Sequence, residues 1–255
     1  MVAVCFHCLM NAAHGRGDYI KRVTIETAGP YVDVIVYPIA KGRPTKTERS
    51  QARHYTSEVR QKMNDRTAAQ KFKRLIAANF TSQDLVVSLT YHDAALPPTP
   101  EQAREKKLRP FIRDLRAAFR ENGEELKYMY VTEGLHGDHR LHHHIILPNV
   151  PGLKRTVKEL WKKNGENIGF DRLGSKGIDE WAGYLTKEPR KTGRRRLGDR
   201  MWTPSLGLKK PEVISYEVPD NYVYTLPDGV VITTNEEMRT EYVSVQYISY
   251  RIPEN

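Results

Sequence analysis

The chain is poor in the features that most directly fix a protein's class. Two cysteines in 255 residues exclude a disulfide framework and favour a reducing, cytosolic setting. No apolar run approaches the roughly 18 residues needed to cross a bilayer as a helix. The N-terminus has no basic start leading into an apolar stretch, and His7 and Asn11 come too early for a secretory signal. Neither a P-loop nor a Gly-x-Gly-x-x-Gly turn occurs, and no Ser-His-Asp set stands out. A fused ATP-driven helicase is therefore not expected, and unwinding would fall to a host helicase. Collagen-like, coiled-coil and fully disordered classes fail on composition. What is abundant is positive charge: 41 Lys and Arg against 31 Asp and Glu, a net charge of +10. That excess points to a polyanionic partner, most simply nucleic acid.

Tyr31 to Tyr37 alternates as a strand does, and a basic, Pro-containing linker follows. Residues 48–78 lack Pro and Gly, and Ala68, Ala69, Phe72, Leu75 and Ile76 recur at helical spacing, so a basic amphipathic helix or helix pair is expected. Leu85–Tyr91, Lys127–Glu133 and Leu141–Leu147 read as strands, and Phe170–Leu173 as a short one. Helices are expected from Thr99 or Pro100 to Asn122, from Leu153 to Lys163 and from Gly177 to Lys187. The segment after 211 is rich in Tyr and Val, has a Pro-Asp-Gly turn at 227–229, and should hold two or three strands. This order predicts an α+β fold with an antiparallel sheet covered on one face by helices. Three regions are expected: a 1–78 extension with the basic helix, a 79–212 catalytic domain, and a 213–255 β-rich tail.

Five of the nine histidines fall between 136 and 144. On a strand, His142 and His144 share a face and His143 points the other way. With a two-residue turn at Gly137-Asp138, paired residues sum to 275 and Glu133 lies opposite His142. Glu133, His142 and His144 then project together: two nitrogens and a carboxylate, with positions left open on a divalent ion for phosphate oxygens. A one-residue slip would turn Glu133 away. The plain alternative is a set of solvated edge histidines.

Tyr184 and Lys187 lie three apart on the last expected helix. A phenol with an ordinary pKa near 10 is a weak nucleophile at neutral pH. It becomes competent where a cation makes the target phosphorus electrophilic, and a nearby lysine can hold the developing charge. By itself Tyr-x-x-Lys is common, and it gains meaning only beside a metal site.

Taken in order, these residues resemble the HUH endonuclease superfamily, specifically rolling-circle replication initiators of bacterial plasmids and phages. Three motifs carry the resemblance: Val87-Ser-Leu-Thr-Tyr91, His142-His143-His144, and Tyr184 with Lys187. Asn79-Phe80, Trp161, Ser205–Pro211 and the basic helix around Thr56–Arg66 also look similar, so the likeness spans roughly 50–212. His143 departs from the usual apolar residue at the middle of the second motif. The resemblance implies a Mg²⁺ or Mn²⁺ site, a single-stranded or hairpin DNA origin, and a 5′-phosphotyrosyl intermediate in a bacterial cell. A transposase or relaxase would use the same chemistry. A non-catalytic DNA-binding replication or regulatory protein is the reading from another class.

Further cations suited to gripping phosphates are Arg60 and Arg66 on the basic helix and Arg190, Lys191, Arg194, Arg195 and Arg196 after the tyrosine. Cys5-Phe-His-Cys8 has the spacing of half a zinc site, but no second cysteine pair exists to complete it.

Overall fold

A computed structural model describes residues 20–39, 57–134, 140–187, 201–239 and 244–253, with the side chains of 57–64 excepted. Cys5, Cys8, the turn at 137–138 and the basic residues 190–196 lie outside the described residues. The protein is α+β. Its backbone forms two compact units, one spanning 56–209 and the other built from the two terminal segments.

The first unit is built on a five-stranded antiparallel sheet. Its strands are β3 (Leu85–Leu89), β4 (Met129–Glu133), β5 (His142–Leu147), β6 (Ile168–Arg172) and β7 (Thr203–Pro204), in the order β6-β3-β5-β4-β7. Four longer helices accompany it: α1 (Ser57–Asn79), α2 (Arg109–Glu121), α3 (Leu153–Trp161) and α4 (Ile178–Leu185). Helices cover both faces of the sheet rather than one. On the first face, Phe111, Leu115 and Phe119 of α2 and Val157 and Trp161 of α3 pack on Leu85, Val87, Leu89, Ile145 and Leu147. On the second, Phe72 and Ile76 of α1 and Trp181 and Leu185 of α4 pack on Val86, Met129, Val131 and Ile146. The reason is compositional: Leu85-Val-Val and Ile145-Ile-Leu are apolar at consecutive positions, so both sides of the central strands must be kept from water.

The long helix expected from Pro100 is interrupted. Thr99 caps its start, its hydroxyl accepting from the Gln102 N–H. Residues Ala103–Leu108 then take a π-helical turn before α2 begins. Pro110 lacks an N–H for the Lys106 carbonyl and its ring would collide there, and the wider turn relieves both problems. Helix α1 runs unbroken and is fastened at its end by Asn79. The Asn79 amide donates to the Leu75 and Lys209 carbonyls and accepts from the Lys209 N–H. This gives Asn79 and the 205–209 stretch a structural role.

The second unit is an antiparallel sheet of β1 (Ile20–Ala28), β2 (Tyr31–Ile39), β8 (Glu212–Pro219), β9 (Val231–Arg239) and β10 (Ser244–Arg251), in the order β8-β1-β2-β10-β9. Strands from both chain ends thus share one sheet. The Pro-Asp-Gly turn does not join adjacent strands, since β8 and β9 occupy opposite edges. The segment between them lays Tyr222, Tyr224, Leu226 and Val230 against the core of Val23, Val34, Val36 and Ile248. No helix among the described residues is long and apolar enough to cross a membrane.

Candidate metal and tyrosine site

The β4–β5 hairpin has the register that two-residue spacing demands. Glu133 pairs with His142 and Val131 with His144, so every pair sums to 275. Glu133, His142 and His144 therefore emerge from one face, with ligand atoms all within 4.8 Å of one another. His142 Nε2 lies 3.3 Å from Glu133 Oε2 and 3.2 Å from His144 Nε2, and His144 Nε2 lies 3.8 Å from Glu133 Oε1. Glu133 and His144 are buried and His142 is half-buried.

The hydrogen bonds on the far side of each ring orient these nitrogens. The Arg140 carbonyl, 2.7 Å from His142 Nδ1, can only accept, so Nδ1 carries the proton and Nε2 presents a lone pair. Ser88, opposite His144 on β3, places its Oγ 2.9 Å from His144 Nδ1. Accepting from Nδ1–H there leaves the second Nε2 bare as well. Two imidazole lone pairs and a carboxylate then converge with no proton between them. That donor set fits a divalent cation. Burial pushes the His144 pKa down to about 4, against the opposing pull of Glu133, which keeps the ring in the neutral, ligating form.

His143 faces the opposite way and has a different role. It is fully buried, with Tyr91 Oη 2.7 Å from Nε2 and Thr132 Oγ1 2.9 Å from Nδ1. Its ring meets the edges of Tyr91 and Trp161. Burial drives its pKa down to about 3. Both ring nitrogens are satisfied, so a histidine occupies a core position without a polar penalty.

Tyr184 projects from α4 with its ring centroid 5.8 Å from that of His144, nearly perpendicular to it. It is 43% exposed, which leaves the phenol accessible beside the ligand set. Partial burial raises its pKa, and the charges of Glu133 and Asp171 add to the rise. Helix α4 is held by Trp181, Ala182 and Leu185 in the second core and by an ion pair between Lys73 of α1 and Asp179. The Thr186 hydroxyl donates to the Ala182 carbonyl and closes the helix. Lys187 lies just beyond that cap and is exposed. Arg66 lies on α1, partly buried, and the side chain of Arg60 lies outside the described residues.

Three residues of this neighbourhood carry no distinctive sequence signal. Ser88 is an ordinary strand serine until its register is known. Asp171 pairs with Val86 on β6 and so shares the site's face, where its charge reaches both His144 and Tyr184. Lys176 sits in a turn, with its ammonium 4.8 Å from the Trp181 ring centroid and 5.4 Å from that of Tyr184.

No curated protein and no solved structure matches the chain. A family model for the replication-associated protein ORF2 matches residues 84–193, from the start of β3 to beyond α4. The matched stretch holds Glu133, His142, His144, Tyr184 and Lys187, and its similarity to that family supports a replication initiator.

Proposed function

We propose that the chain is a metal-dependent DNA-nicking and strand-transfer endonuclease that starts rolling-circle replication. The observation that carries this reading is the convergence of Glu133, His142 and His144 beside an accessible Tyr184. Those three residues would hold Mg²⁺ or Mn²⁺, which when bound supplies a positive centre for a phosphate oxygen. Tyr184 Oη attacks the phosphorus of a single-stranded or hairpin origin. The Tyr–O–P bond forms, the P–O3′ bond breaks, and the phenol's proton ends on the released 3′-oxygen. The product is a 5′-phosphotyrosyl enzyme and a free 3′-hydroxyl, and attack by a 3′-hydroxyl reverses the step without ATP. Lys187 assists by offsetting the charge that develops at the phosphate.

The nuclease occupies 79–212. Arg60, Arg66, Arg190, Lys191, Arg194, Arg195 and Arg196 hold the DNA backbone, and a host helicase unwinds it. The test is to incubate the protein with single-stranded origin DNA and Mn²⁺ and run a denaturing gel. A covalent adduct that is lost in Tyr184→Phe is expected. An undiminished adduct in that variant would refute the nucleophile assignment.

A further inference from the structure

The turn that leads into α4 is held more firmly than a surface loop requires. Leu173 is fully buried and its N–H donates to the Asp84 carbonyl at 2.7 Å. The Gly174 N–H donates to the Ser82 carbonyl at 2.8 Å, and a Cβ at Gly174 would stand only 2.8 Å from Ser82 atoms. The Ser175 hydroxyl donates to the Arg172 carbonyl at 2.7 Å. Gly177, at φ +82°, takes a left-handed conformation that turns the chain into the helix. Lys176 is caught between these fixed points.

Its side chain is exposed, yet its ammonium stands over two rings, those of Trp181 and Tyr184. Trp181 is buried and its ring meets that of Tyr184 nearly edge-on, at 6.0 Å. The Trp181 indole N–H has no hydrogen-bond partner among the described residues, so the ring is held by packing and by this cation. Lys176 has no ion pair among the described residues, whereas Lys73 nearby is paired with Asp179. An unpaired cation on a rigid turn, placed over the face of the candidate nucleophile, is suited both to fix the ring's direction and to favour negative charge beside it.

We propose that Lys176 is a positioning residue for Tyr184, clamping the phenol ring against Trp181 and holding positive charge next to the phosphate that Tyr184 attacks. This rests on the nicking reading given above. It assigns a role beyond that of Lys187, from the opposite end of α4.

The test compares Lys176→Met, which keeps the apolar stem, with Lys176→Arg, which keeps the charge. Single-turnover adduct formation is measured with Mn²⁺ at saturating single-stranded origin DNA. Lys176→Met should slow the step tenfold or more with an unchanged half-saturating DNA concentration, and Lys176→Arg should recover most of the rate. A normal rate in Lys176→Met would overturn the proposal. So would a loss seen only in the half-saturating concentration, because Lys176 would then be an ordinary DNA contact. A second readout does not depend on nicking: 3-fluorotyrosine in place of Tyr184, followed by ¹⁹F NMR of the DNA-free protein. Lys176→Met should shift the resonance, and Lys176→Arg should leave it near its original place. An unmoved resonance in Lys176→Met would remove the clamp. If the wild type formed no adduct, the nicking reading would fail while the fluorine measurement still decided the clamp.

Discussion

Ser88→Ala deletes one oxygen and should weaken metal binding without touching a ligand. Ser88 Oγ lies 2.9 Å from His144 Nδ1, in register across the β3–β5 ladder. Without it, Nδ1–H of a ring that is only 6% exposed faces no acceptor. The ring must either bear an unpaired buried donor, at about 1–3 kcal/mol, or move its proton to Nε2 and lose the lone pair aimed at the ion. Deleting an outer partner of a ligating histidine typically costs about 10–100-fold in affinity. At about 1.4 kcal/mol per tenfold, the two ranges agree. The assay is calorimetric titration of Mn²⁺ into DNA-free wild-type and Ser88→Ala protein, alongside thermal unfolding in chelator to show that the fold survives. A Mn²⁺ dissociation constant raised tenfold or more is expected. A value within twofold of wild type, in a folded variant, would refute the assignment of Nδ1–H to that bond.

Adjacent histidines should give opposite phenotypes. His142→Ala and His144→Ala should each abolish adduct formation while leaving most DNA affinity, read by anisotropy and gel on the same samples. His143→Ala should instead lower stability by about 2–4 kcal/mol in urea denaturation, because it opens a cavity and leaves Tyr91 and Thr132 hydroxyls unpaired in the core. Gly165→Ala should cost about 1–3 kcal/mol. Its Cβ would stand 2.2 Å from the Thr90 carbonyl oxygen, which already accepts from the Trp161 indole N–H. Normal thermal stability in that variant would contradict the tight approach of these segments.

The hairpin site was legible in the sequence because it depends on short-range rules. Strand alternation puts His142 and His144 on one face, and one turn length fixes Glu133 across from them, with no bulge to disturb the count. The role of His143 was not legible, since a buried histidine and a ligating one look alike until the hydroxyls of Tyr91 and Thr132 are placed. Helices on both faces were foreshadowed by the unbroken apolar runs in β3 and β5, but amphipathic alternation elsewhere pointed to one covered face. Strand β1 was missed because Ile20–Ala28 mixes charged and apolar residues without aromatics. Its pairing with β8 joins residues almost two hundred positions apart, which local pattern does not encode. Lys176 and Asp171 reach the site from a turn and an edge strand, so only the tertiary arrangement brings them near Tyr184.

Anomalous X-ray scattering from crystals grown with Mn²⁺ addresses the heart of the account. It should reveal one ion bonded at about 2 Å to a Glu133 carboxylate oxygen, His142 Nε2 and His144 Nε2, on the side of the hairpin where Tyr184 stands. An ion seated on other residues, or no peak between those three side chains at millimolar Mn²⁺, would contradict it.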